Sequence, residues 1–123
     1  MANNNIDFNE VVSERIQQIE SVLKSKADEY ASGSDRFHNF NVAARVEGTT
    51  PEKALKGMMM KHIVSVFDLI DWVDSPLNRK KITPAIINEK IGDNINYLIL
   101  LEGLLRKRVL ENNASDRSEE TYA

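Results

Sequence analysis

Residues 84–110 read PAIINEKIGDNINYLILLEGLLRKRVL, and the reading of this stretch decides the fold. It opens on Thr83-Pro84, a helix-start signal: the hydroxyl caps the first turn and proline stands where no N–H is needed. From Ile86 to Leu110 the apolar content is almost continuous, about eight turns of helix if unbroken. At roughly 100° per residue, Glu89, Asp93 and Asn96 fall in one narrow stripe, which Leu100 continues and Ile86, Tyr97 and Leu104 flank. Ile87, Ile91, Ile95, Leu98, Ile99, Leu101 and Leu105 fill the rest of the circumference. A helix that is apolar nearly all round is a buried helix. Its polar stripe is therefore either the solvent face or a polar site within a bundle.

The preceding segments supply that bundle. Phe8, Val12, Ile16, Ile19, Leu23, Ala27 and Tyr30 recur at three- and four-residue steps and predict a first helix over about residues 8–31. Ala31-Ser32-Gly33-Ser34 breaks it, with Gly33 as the left-handed residue at its end. Ser34 or Asp35 caps a short second helix carrying Phe37, Phe40, Ala43, Ala44 and Val46, which Gly48 ends. Thr50-Pro51 starts a third helix that runs to about Val73 and stops before Ser75-Pro76. The fold class expected is all-α, a bundle of three long helices plus one short one. Residues 1–111 form a single helical domain, and residues 112–123, small and polar, read as a flexible tail.

Composition narrows the function classes. The chain has 123 residues, 41% hydrophobic and 28% charged, a balance that builds a core in one domain. It contains no cysteine, which removes disulfide frameworks and thiolate zinc sites. No apolar run reaches the ~18–20 residues that span a bilayer, and residues 1–7 lack the pattern of a signal peptide. A cytoplasmic location without membrane contact is expected. The net charge of −3 argues against duplex nucleic acid as partner. The basic run Arg106-Lys107-Arg108 reads as solvated cations at the negative end of the last helix.

The third helix repeats the pattern of the fourth. Lys61, Ser65 and Asp68 share a stripe with Trp72 below and Ala54 above, and His62 stands one residue aside, between Met58 and Val66. The Glu89–Asp93 pair is informative, since like charges four residues apart repel by a few tenths of a kcal/mol, about the amount an opposite pair would gain. Carboxylates one turn apart suit a shared cation, and Mg²⁺ takes one or two of them together with substrate phosphates. Asp35, Arg36 and Asn39 surround the anchors Phe37 and Phe40 at a helix start, a place that favours anions. The plainer alternatives are a wet helix face for Glu89–Asp93–Asn96, a core or rim histidine for His62, and a cap and surface pair for Asp35 and Arg36. Glycine-rich phosphate loops, Ser/His/Asp signatures and His-rich zinc motifs are missing from the sequence.

Residues 89–98, Glu-Lys-Ile-Gly-Asp-Asn-Ile-Asn-Tyr-Leu, resemble the second acidic helix of MazG-like all-α nucleoside triphosphate pyrophosphohydrolases. A phage-associated branch, the nucleotide-modification-associated helical domain, is similar at four places in order. These are Lys26-x-Asp28-x-Tyr30, Asp35-Arg36-Phe37-x-Asn39-Phe40, Lys61-His62-x-x-Ser65 and Glu89-Lys90-x-x-Asp93-x-x-Asn96-Tyr97, within residues 20–108. The resemblance implies a helical, oligomeric protein that binds a nucleotide through Mg²⁺ and releases pyrophosphate from a triphosphate. It implies Glu89 and Asp93 as metal-binding and catalytic residues, with Asp68 a further candidate ligand and His62 assisting proton transfer. Arg36 and Lys61 would meet phosphates, Asn96 would orient a ligand or base, and Lys26, Asn39 and Tyr97 complete the nucleotide-binding set. The chain departs from the MazG-like pattern in two respects: it lacks Glu-x-x-Glu in the expected place on an earlier helix, and it carries Lys90 where many of those enzymes have glutamate. Two other readings therefore stand beside the enzyme, a non-catalytic protein that binds or sequesters a nucleotide or nucleotide signal, and an oligomeric interaction domain.

Overall fold

The computed structural model describes residues 5–29 and 36–122, with side chains placed for 5–24 and 36–117. Four α-helices follow one another: α1 (Phe8–Glu29), α2 (His38–Glu47), α3 (Pro51–Trp72) and α4 (Pro84–Tyr122), with a short 3-10 turn at Arg79–Lys81. Among the described residues there is no strand, so the fold is an all-α helical bundle. No described helix is long and apolar enough to cross a membrane.

Local chemistry fixes the helix ends. The Thr50 side chain accepts a hydrogen bond from the Lys53 N–H at 3.2 Å, and Thr83 accepts one from Ile86 at 3.3 Å. Both are the caps expected from Thr-Pro. Gly48, at φ 68°, ends α2 in the left-handed region, and its N–H bonds back to the Ala44 carbonyl. At α1 the cap is Asp7, whose carboxylate accepts from the Asn9 and Glu10 amides. The start of α2 has no side-chain cap, and its preceding residue is Phe37. The expected roles of Tyr30, Gly33, Ser34 and Asp35 lie outside the described residues.

Helix α4 is longer than its apolar stretch. It continues past Leu110 to Tyr122, through most of the segment expected to be a tail. Residues 111–122 contain no glycine or proline to stop it, and Arg108 bonds Glu111 across one turn at 3.4 Å. The run Arg106–Arg108 consequently sits inside the helix rather than at its end.

Packing is antiparallel between α3 and α4. Contacts pair Glu52 with Arg108, His62 with Asp93 and Trp72 with Lys90, in opposite chain order. Helix α1 runs parallel to the first half of α4, with Val11 near Ile87, Arg15 against Gly92 and Val22 near Asn96. The core centres on Phe40, Leu55 and Leu104, with Phe37, Met58, Met59, Tyr97, Leu100 and Leu101 packed against it. Of these only Leu55 is almost wholly enclosed. The Glu52–Arg108 pair closes this end: Arg108 Nε donates to Glu52 Oε1 at 2.8 Å and Nη2 to Oε2 at 3.2 Å. That two-pronged hydrogen bond holds the Glu52 carboxyl below its ordinary value of 4.5.

Candidate functional site

Below the apolar core, the four helices leave a cavity of about 330 Å³ open to solvent. Its wall is made by Val22 and Leu23 of α1, Arg36 before α2, Asn39 and Phe40 of α2, His62 of α3, and Asp93, Asn96, Tyr97 and Leu100 of α4. The α4 stripe read from the sequence thus faces inward over Asp93 and Asn96. A shallower recess of about 130 Å³ adjoins it, sharing Val22, Asp93 and Asn96 and adding Arg15, Gln18, Asn88, Glu89 and Gly92.

The aromatic wall is a continuous one. Tyr97 lies with its ring 5.0 Å from the His62 ring at 34°, and 6.3 Å from Phe40 in an edge-on arrangement. Such offset and edge-to-face pairs are mutually attractive and hold the rings in place. His62 Nδ1 stands 3.4 Å from Asp93 Oδ2, an ion pair whenever the imidazole is protonated. Asn94 fastens this part of α3 to α4: its Nδ2 donates to the His62 carbonyl and to the Lys90 carbonyl, both at 2.9 Å. Further along, Lys90 and Lys81 lie over the Trp72 ring at 5.3 Å and 5.6 Å.

One wall atom is left over. The side-chain Oδ1 of Asn96 is buried and, among the described residues, has no hydrogen-bond partner. A buried acceptor without a donor costs about 1–3 kcal/mol.

Six of the residues chosen from the sequence therefore meet in one cavity: Arg36, Asn39, His62, Asp93, Asn96 and Tyr97. Glu89 stands in the adjoining recess, one helical turn from Asp93. Lys61 and Asp68 are exposed and line neither space, because α3 turns His62 rather than the Lys61–Ser65–Asp68 stripe toward α4. The Lys26 side chain lies outside those described. Among the described residues no three acidic or histidine groups converge to cage a metal. Glu89 and Asp93, one turn apart beside the cavity, are the carboxylates of the expected set that the structure leaves together and that would hold a divalent cation. Asp68 does not belong to that set.

Arg15 is the residue the sequence reading missed. A Cβ added at Gly92 would lie 2.8 Å from its Nη1, so the absence of a side chain at position 92 is what admits the guanidinium. Arg15 and Arg36 thus bring a cation to each of the two connected spaces. The only sequence signal was a glycine inside an otherwise strong helix, a position that marks close approach of another group.

No family model, curated protein or solved structure matches this chain.

Proposed function

We propose that the chain is a MazG-like protein that binds a nucleoside triphosphate in the cavity between its helices. The observation that carries this reading is the convergence of Arg36, Asn39, His62, Asp93, Asn96 and Tyr97 on one space. Each offers what a part of a nucleotide requires. Tyr97, His62 and Phe40 give aromatic surface for a base, and the orphaned Asn96 Oδ1 gives an acceptor for a base N–H. Arg36 and Arg15 give charge-assisted donors for phosphate oxygens. Glu89 and Asp93 are the carboxylates that would hold Mg²⁺.

On this reading the reaction is hydrolysis to a nucleoside monophosphate and pyrophosphate. Bound Mg²⁺ would supply neutralisation of phosphate charge. His62, held against Asp93 and Tyr97, is the group placed to carry a proton. A second reading, binding without hydrolysis, draws on Arg15: its guanidinium shares the recess of Glu89 and Asp93, so these carboxylates already have a cationic neighbour.

Thermal melting with a panel of nucleotides, with and without Mg²⁺, separates the two. Stabilisation that requires Mg²⁺, together with pyrophosphate release that Asp93→Asn abolishes, supports the hydrolase. Stabilisation by nucleotide alone, without turnover, supports the binding protein. If no nucleotide shifts the melting temperature, both readings fail.

A further inference from the structure

The outward face of α3 presents a pattern that the cavity does not explain. Met60, Val64 and Phe67 are 50%, 49% and 59% exposed, and their four- and three-residue steps set them in one stripe. Helix geometry places this stripe opposite the one bearing Leu55, His62 and Leu69, which looks into the bundle. Charged residues extend it at both ends. Lys53 and Lys56 lie toward the start of α3, Asp71 lies in its last turn, and Asp74 lies just beyond its end. All four are exposed, and among the described residues none of them is ion-paired within the chain.

The stripe reads lysine, lysine, methionine, valine, phenylalanine, aspartate, aspartate. Turned end for end, the signs exchange and the apolar centre stays in place. Two copies laid antiparallel, with a two-fold axis passing between residues 63 and 64, set Lys53 opposite Asp74, Lys56 opposite Asp71 and Met60 opposite Phe67. A parallel arrangement sets like charge against like at both ends. Self-complementarity of this kind is what a two-fold interface requires, since one patch must recognise itself.

We propose that the Lys53–Asp74 face of α3 is a dimer interface, occupied by the same face of a second copy in antiparallel register. The cavity, on the other side of α3, stays open in such a dimer, so the proposal is independent of what the cavity binds.

Analytical ultracentrifugation of the full chain tests this with charge reversals. The wild type is expected to sediment as a dimer. Lys56→Glu and Asp71→Lys, each setting like charges opposite one another twice, are expected to weaken dimerisation by about tenfold or more. The double variant K56E/D71K restores the pairing and is expected to recover the wild-type dimer, an outcome that a parallel or unrelated interface does not produce. Where a single reversal unfolds the chain, Val64→Cys decides, because the protein has no cysteine of its own. Near the axis its thiol meets its copy, and mild oxidation is expected to give a covalent dimer. A monomeric wild type, a dimer indifferent to both reversals, or a Val64→Cys chain that stays monomeric on oxidation overturns the proposal.

Discussion

Gly103 and Gly92 stand about three turns apart on α4, and each gives up its Cβ position to a side chain from another element. At Gly103 the visitor is the Phe37 ring, whose Cζ would lie 2.7 Å from an added Cβ; at Gly92 it is Arg15 Nη1, at 2.8 Å. The ring is stiff and half-buried, part of the shell around Phe40, Leu55 and Leu104. The guanidinium is the far end of a flexible chain, and it borders a recess rather than a core. The same local device thus seats a rigid anchor in one half of the helix and a mobile cation in the other. The apolar half of α4 packs against the bundle core, and the polar half leaves the buried Asn96 Oδ1 without a partner among the described residues.

Substitutions break this contrast in a definite order. Gly103→Ala is expected to cost about 1–2 kcal/mol net, overpacking against Phe37 outweighing the alanine's helix propensity. Chemical denaturation reads it as a lower midpoint, and an unchanged midpoint would mean that Phe37 is not an anchor. Asn96→Leu is expected to act in the opposite sense, raising stability by about 1 kcal/mol because it removes a buried acceptor without a donor. The same change is expected to abolish nucleotide stabilisation. A gain in stability with loss of binding marks a residue kept for function.

Gly92→Ala sharpens the comparison further. Arg15 can swing away at little cost, so alanine's propensity is expected to leave stability unchanged or up by at most ~1 kcal/mol. Nucleotide affinity is nevertheless expected to change, because Arg15 leaves its place beside Glu89 and Asp93; calorimetric titration measures it. The smallest effect belongs to Glu52 in the apolar half. Its folded-state pKa is lowered by Arg108, so its contribution is complete above the ordinary value of 4.5 and is lost as pH falls through the lower, folded value. Glu52→Gln is therefore expected to melt lower than wild type at neutral pH, the gap closing on acidification below pH 4.5. A gap that persists in acid would assign the effect to packing instead.

What the sequence revealed follows from range. Thr50-Pro51, Thr83-Pro84 and Gly48 act within a few residues, and the structure has them capping and ending helices as read. That Asp93 and Asn96 share one face of α4 was legible because periodicity fixes it; whether that face was wet or turned inward was not, and the packing of α1, α2 and α3 around it decides that. What escaped was rotational and long-range. Periodicity grouped Lys61 with Ser65 and Asp68, but which edge of α3 meets α4 depends on packing, and packing chose His62, one residue aside. Arg15 approaches Gly92 from 77 positions away, a pairing no local pattern encodes. Arg108 was read as a solvated helix end because the apolar run stops at Leu110, whereas α4 continues and leaves Arg108 opposite Glu52.

The central claim is that the polar half of α4 binds a nucleotide while the apolar half only packs. Backbone amide NMR of the full chain, titrated with nucleoside triphosphates in the presence of Mg²⁺, tests it most directly. The expected result is a set of shift changes gathered at Arg36, His62, Asp93, Asn96 and Tyr97, with Glu52, Leu55 and Arg108 left still. Shifts centred on the Glu52–Arg108 end, or a spectrum that no nucleotide disturbs, would contradict it.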